Sequence, residues 1–332
     1  MKKIFTFFTI LSLIFLANGN NPAFAKDSEA KKLIVTSFYP LAFMAEQITG
    51  NKAEIINLAG STDVHGYEPS PQDMVKLNKA DLVVFQGAEL EAWTNGIIPD
   101  LKSKGITTLE VTHDLELAKA EDHDEHKDGH KDEHKKEKGA HHDDEKQGDH
   151  KEDGHDEHHH GEFDPHTWLD PIIAQKMADK ILQSMISTDS ANEAFYKANA
   201  SVLKARFANL DKDFTAGLSQ CANKELIISH DAYGYLASRY GFKTHTIAGF
   251  SPDDQPSAKI LAELKKEAKE GITHILIEEN SIRRFADTLA RETGLATLPA
   301  NPLGRGTLDP KKDFFDVMKI NLNSFKTALN CK

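Results

Sequence analysis

The sequence predicts an α/β protein built as two parallel-sheet lobes joined by a long helical connector. Two observations carry this. Short β-branched runs alternate with amphipathic segments in two separate blocks, the pattern of parallel sheets covered by helices. Between the blocks, residues 171–218 hold no strand signal and read as continuous helix.

Taken in order, LIVTSF (Leu33 to Phe38) reads as a buried strand, and Pro40 opens a helix that Gly50 stops. EIINLA (Glu54 to Ala59) is the next strand. Ser70 then caps a helix with Pro71 at its first position and Asp73 in its first turn. DLVVFQG (Asp81 to Gly87) is a third strand, Glu89 to about Asn95 a helix, and ITTLEV (Ile106 to Val111) a fourth strand. Asp170-Pro171 starts the connector, whose second helix follows Asp189-Ser190 and runs to about Leu218. The second block has strands at Glu225 to Ser229, Lys243 to Ala248, His274 to Glu279 and Ala296 to Ala300. Helices are expected at AYGYLASRYG, Pro256 to Glu270, Ser281 to Thr293 and Asp313 to Ala328. The glycines fall mostly at helix ends, where left-handed caps favour them. No Gly-rich phosphate loop, G-x-S-x-G elbow or H-E-x-x-H helix occurs.

The N-terminus carries Lys2 and Lys3, an apolar run from Ile4 to Ala17, and Ala23-Phe24-Ala25 before Lys26. This is the pattern of a cleavable signal peptide. The apolar run is shorter than the roughly 20 residues that span a bilayer. No cysteine stands directly after it, so attachment of lipid there is not expected. The reading is an exported protein, periplasmic in a cell with two membranes. Its expected divisions are a signal peptide at 1–25, a first lobe at 26–170, a connector at 171–218 and a second lobe at 219–332.

The formal charge is −12. Nucleic acid wants a basic footprint, so an acidic chain argues against it and suits a protein that gathers cations. A monomer is expected. The two cysteines, Cys221 and Cys331, lie far apart in a chain bound for an oxidising compartment. One disulfide between them is expected, with two buried thiols as the alternative.

Of the 17 histidines, most lie in one hydrophilic run inside residues 118–162. They are His123, His126, His130, His134, His141, His142, His150, His155, His158, His159 and His160. Asp, Glu, Lys, Gly, Gln and a single Ala stand between them. Such a stretch buries too little apolar surface to offset its ordering entropy, so a mobile loop is expected. Imidazoles and carboxylates in a flexible array offer many weak sites for Zn²⁺, Cu²⁺ or Ni²⁺.

Six histidines lie elsewhere. His113, His245 and His274 sit in or beside strand runs and read as structural. His65 in DVHGYEPSPQD, His166 in FDPHTWLDP and His230 in LIISHDAYGY share a different position, each just before a helix, with His65 following a strand and His230 at the C-terminal end of one. In open α/β sheets ligands bind beyond the carboxyl ends of the strands, and such loops from two lobes converge on one cleft. Three imidazoles there supply most of a tetrahedral zinc site. Carboxylates to orient them are at hand: Glu68 and Asp73 near His65, Asp164 and Asp170 near His166, and Asp231 after His230.

HGYEPSPQD, DPHTWLDP and SHDAYGYLASRYG, with an acidic histidine-rich insert before the second, resemble the ZnuA/TroA-type solute-binding proteins of zinc and manganese ABC importers. The resemblance covers essentially all of the chain after residue 25. It implies two lobes bridged by a long rigid helix, a metal held between them by His65, His166 and His230, and delivery of that metal to a membrane permease. Many relatives have an aspartate opening a D-P-L-G-like motif as a fourth ligand. Here that position is Asn301 in NPLG. Asparagine is a poor zinc ligand, so a water or a nearby carboxylate is expected to complete the shell. Three histidines with no fourth acid favour Zn²⁺ over Mn²⁺. The alternatives are a manganese-binding member, a secreted zinc hydrolase, and a metal buffer that acts through the loop alone.

Overall fold

The protein is described from a computed structural model covering residues 31–119, 162–251, 255–269, 271–278, 283–307 and 309–332. The signal-peptide reading and the eleven loop histidines lie outside the described residues. Each sheet has four strands, every neighbouring pair is parallel, and the two sheets have matching strand orders.

The first sheet is built from β1 (Lys32–Thr36), β2 (Ala53–Asn57), β3 (Leu82–Phe85) and β4 (Thr107–Glu110), in the order β2-β1-β3-β4. Its central strands are buried on both faces, which is why they read as unbroken apolar runs rather than as alternating ones. Ile34, Leu82 and Val84 face one core, while Val35, Val83 and Phe85 face another. The helices α1 (Tyr39–Thr49) and α2 (Pro71–Leu77) form where expected. The start of α2 is set by a reciprocal capping box, with Ser70 accepting from the Asp73 N–H and Asp73 accepting from the Ser70 N–H.

The helix expected from Glu89 to Asn95 is displaced. Ala88 and Glu89 take left-handed backbone angles (φ 52° and 60°), and α3 runs instead from Thr94 to Ser103. Gly96 and Pro99 disguise this helix in the sequence. Packing overrides them, because Ile98 and Leu101 are buried against the first sheet.

The connector is two helices, α4 (Pro171–Thr188) and α5 (Glu193–Leu218). At 1.5 Å per residue α5 spans about 39 Å, long enough to pass from one sheet to the other. Its buried stripe, Tyr196, Ala200, Leu203, Phe207, Leu210, Phe214 and Leu218, recurs every three or four residues. Phe207 packs against Phe314 and Phe315, and Phe214 against Tyr240 and Phe325. Residues from both sheets and from the connector therefore share one apolar cluster.

The second sheet runs in the order β6-β5-β7-β8, formed by β5 (Glu225–His230), β6 (Lys243–Ala248), β7 (His274–Ile277) and β8 (Ala296–Pro299). Leu226 and Ile228 of β5 face the shared core. Ile227 faces the opposite side, with α7 (Ala258–Glu267) and α8 (Arg283–Thr293). The remaining helices are α6 (Gly234–Tyr240) and α9 (Phe314–Ala328), the latter opened by an Asp313–Asp316 capping box.

Cys221 and Cys331 are joined by a disulfide across a sequence separation of 110 residues. It fastens the end of the chain to the segment that follows α5. A closed loop of that length removes enough denatured-state entropy to contribute about 3–5 kcal/mol. Replacing both cysteines by serine should lower the urea midpoint correspondingly. An unchanged midpoint would mean that the crosslink constrains nothing.

Candidate metal centre

The sheet topology brings three distant histidines together. His65 lies in a short 3-10 turn (Val64–Gly66) between β2 and α2. His166 precedes a second such turn (Thr167–Leu169) that leads into α4. His230 is the last residue of β5. Their ring centroids stand 5.2, 5.4 and 5.8 Å apart, and one ligand nitrogen from each lies within 4.8 Å of the others. His166 and His230 are buried, while the His65 side chain keeps 10% of its exposure. Among the described residues no other group of three or more His, Cys, Asp or Glu is arranged to hold an ion.

Each ring has a carboxylate at its Nδ1. Asp63 Oδ1 is 2.7 Å from Nδ1 of His65, Asp164 Oδ1 is 2.8 Å from that of His166, and Glu278 Oε2 is 2.8 Å from that of His230. A carboxylate there keeps the proton on Nδ1 and leaves Nε2 with a lone pair. Nε2 of His65 and Nε2 of His166 are 3.2 Å apart. With both Nδ1 protons held by carboxylates, neither Nε2 has a hydrogen to give the other. Nε2 of His230 is buried with no hydrogen-bond partner among the described residues. Three lone pairs facing one another in a largely buried place suit a cation, and three imidazoles suit Zn²⁺.

The first two carboxylates are set by one local device. In Asp63-Val64-His65 and in Asp164-Pro165-His166, a single Asp oxygen accepts both the backbone N–H and the Nδ1–H of the histidine two residues on. The ring is thereby fixed in direction as well as in tautomer. This D-x-H spacing is visible in the sequence and identifies Asp63, which the sequence reading passed over for Glu68. Glu68 is exposed, and Asp73 serves the α2 cap and Lys76. Asp170 caps α4 through the Ile172 and Ile173 N–H groups and pairs with Arg239, so it orients the helix and not an imidazole. The negative charge of Asp231 favours the protonated forms of His166 and His230. Glu278 follows β7, and no local spacing ties it to His230.

Burial dominates the His166–Asp164 pair. It pushes the carboxyl up to about 7 and, helped by the charges of His65 and His230, drives the imidazole well below its ordinary value. The His166 imidazole is thus neutral over a wide pH range. For His230 burial again favours the neutral ring, but the Glu278 carboxylate, together with the charges of Asp63 and Asp231, outweighs it and the pKa is raised. Asp63 is lowered despite its burial, chiefly by the hydrogen bond from His65.

Asn301, the possible fourth-ligand position, is engaged within its own loop. Its amide N–H group donates to the Gly306 carbonyl at 3.1 Å and its oxygen accepts from the Leu303 N–H at 2.7 Å. Asn321 of α9 grips its backbone on both sides. The side chain is satisfied within its own loop without a metal. That loop meets the first lobe: Trp168 Nε1–H donates to the Pro302 carbonyl at 2.7 Å, and Arg305 lies 3.9 Å from Asp63. Of the histidines read as structural, His113 is exposed beside Asp114 and His274 contacts Thr273. His245 lies between Glu225 and Glu267, acidic partners with no counterpart at close sequence spacing, and so ties β6 to α7.

Comparison with known proteins gives a consistent picture. The family model described as ZnuA, zinc-uptake complex component A, periplasmic, matches residues 34–328. The chain is 34% identical to the zinc-binding lipoprotein AdcA of Streptococcus pneumoniae R6, over 98% of its own length and 61% of that protein's. It therefore spans about three-fifths of that relative. It is 32% identical to the high-affinity zinc uptake system protein ZnuA of Bacillus subtilis, over 96% of this chain and 95% of that one. The crystal structure of the Zn(II)-bound ZnuA-like domain of S. pneumoniae AdcA matches with a TM-score of 0.70 at 30% identity, covering 91% of this chain and 100% of that one.

Proposed function

The chain belongs to the ZnuA family of zinc-uptake components, and from that premise we propose that it binds Zn²⁺ between its lobes through His65, His166 and His230 and delivers it to an ABC permease. The observation that carries the reading is the convergence of one ligand nitrogen from each of three histidines whose Nδ1 atoms each face a carboxylate. The ion is cargo, taken up and passed on, and a water or a nearby carboxylate completes its shell. The protein acts outside the cytoplasm, in the periplasm where a second membrane encloses one. It works as a monomer, as a first lobe, connector and second lobe.

A binding role is favoured over a zinc hydrolase by the same carboxylates. Asp63, Asp164 and Glu278 are each turned to an imidazole and orient ligands, whereas hydrolysis needs a general base beside the metal-bound water. Zn²⁺ is preferred to Mn²⁺, because the donor set is nitrogen and Mn²⁺ stands at the weak end of the divalent affinity order. The histidine-rich segment, residues 118–162, supplies additional weak sites that raise the local zinc concentration.

Isothermal titration of the whole protein and of a variant lacking residues 120–161 tests this. The shortened protein should keep one tight Zn²⁺ site, lose the weak ones, and bind Mn²⁺ orders of magnitude less tightly. Loss of the tight site with the segment would leave only a metal buffer. Equal affinity for Mn²⁺ would overturn the zinc assignment.

A further inference from the structure

We propose that Gln86 is a positioning residue for the metal site, holding the His166 loop in place from the end of β3. The proposal rests on the zinc-site reading above and deepens it. Gln86 is fully buried. Its Nε2 donates to the Pro165 carbonyl at 2.7 Å and to the Thr167 hydroxyl at 2.7 Å, the residues on either side of His166. The Pro165 carbonyl, which can only accept, settles which end of the amide is nitrogen. The other end, Oε1, has no hydrogen-bond partner among the described residues. A buried acceptor left unpaired is costly, so the two donations are what this side chain is placed to make.

The grip is anchored from behind. The Gln86 N–H donates to Glu91 Oε1 at 2.8 Å, and the same oxygen accepts the Ser37 hydroxyl beyond β1 at 2.5 Å. Glu91 Oε2 accepts the Gly87 N–H at 3.1 Å. The Gln86 carbonyl accepts both the hydroxyl and the N–H of Thr112, beyond β4. Gly87 makes the tight turn into Glu91 possible: its φ is +85°, and a Cβ there would lie 2.2 Å from Glu110. Gln86 is thus fixed by three strand ends of the first sheet and transmits that rigidity to both neighbours of His166.

Asp164 sets the direction of the His166 ring, whereas Gln86 sets where its backbone stands. Misplacing one ligand of a tetrahedral set weakens metal binding and distorts the coordination geometry, which an unrelated loss of stability does not do. Outer partners of metal-binding histidines are typically worth 10–100-fold in affinity, and Gln86→Leu should weaken Zn²⁺ binding by about tenfold.

The test uses the full chain, competing a chelating dye for Zn²⁺ and recording the visible d–d spectrum of the Co²⁺-loaded protein. Gln86→Leu should show the affinity loss together with shifted Co²⁺ bands, with the metal-free protein still melting cooperatively. Thr167→Val should move both readouts the same way, and Thr167→Ser, which keeps the hydroxyl, should restore them. If Gln86→Leu does not fold, the Thr167 pair decides. A folded Gln86→Leu with affinity within about twofold of the parent and an unchanged Co²⁺ spectrum overturns the proposal. So does a Thr167→Val indistinguishable from Thr167→Ser. A His166→Ala control separates the two levels: if it retains tight zinc binding, the site reading fails and not merely the role of Gln86.

Discussion

Replacing His166 by alanine should abolish tight zinc binding. Two imidazoles cannot close a tetrahedral shell around Zn²⁺, and the void left at His166 is buried and faces a carboxyl group deprived of its partner. Loss of an outer partner alone typically costs 10–100-fold, so loss of the ligand itself should exceed about 100-fold. His230→Ala should be as severe, since that ring is equally buried. His65→Ala should be somewhat milder, because its partly exposed position allows water to take the vacant place. Competition with a chelating dye measures all three. Affinities unchanged across the set would remove the site altogether.

The second large effect is on pH. Zinc ligation needs unprotonated Nε2, so each proton held by the metal-free site competes with the ion. His166, lowered by burial, offers little competition. His230, raised by Glu278 with Asp63 and Asp231, starts to compete above the ordinary imidazole value of about 6.5. As pH falls through that raised pKa, apparent affinity should drop by about tenfold per pH unit, the consequence of displacing one proton per zinc ion. Removing the negative charge with Glu278→Gln lowers the His230 pKa, so the decline should begin at a lower pH. Titrations between pH 7.5 and pH 5 measure both. A flat profile contradicts histidine ligation, and an unmoved profile in Glu278→Gln contradicts the role assigned to that carboxylate.

Much of the fold could be read from the chain, and the reasons are local. The central strands of both sheets are largely buried, so they stand out as β-branched runs, and helix starts such as Ser70-Pro71 and Asp170-Pro171 carry their own caps. The misreading at Glu89 to Asn95 arose because α3 contains Gly96 and Pro99, and its stability comes from contacts with the sheet rather than from propensity.

The site divides in the same way. Its three histidines are legible because each stands just before a helix, His65 and His166 in loops and His230 at the end of β5. Asp63 was within reach through the D-x-H spacing it shares with Asp164. Glu278 was not, since it is 48 positions from His230 and meets it only through the pairing of β5 with β7. Gln86 was equally hidden: an amide at a strand end has no sequence signal, and its role comes from what folds over it. Asn301 shows the limit of motif reasoning. The chemistry of a neutral amide excluded it as a good ligand, but that it locks its own loop is a tertiary fact.

A single zinc ion held by the Nε2 atoms of His65, His166 and His230 would leave a direct crystallographic signature. Anomalous diffraction at the zinc absorption edge, from crystals of the zinc-loaded protein, tests for it most directly. The expected result is a peak about 2.0–2.1 Å from each of the three Nε2 atoms, the usual zinc–imidazole distance. A zinc peak that lies away from these nitrogens, with the three rings left unliganded, would contradict it.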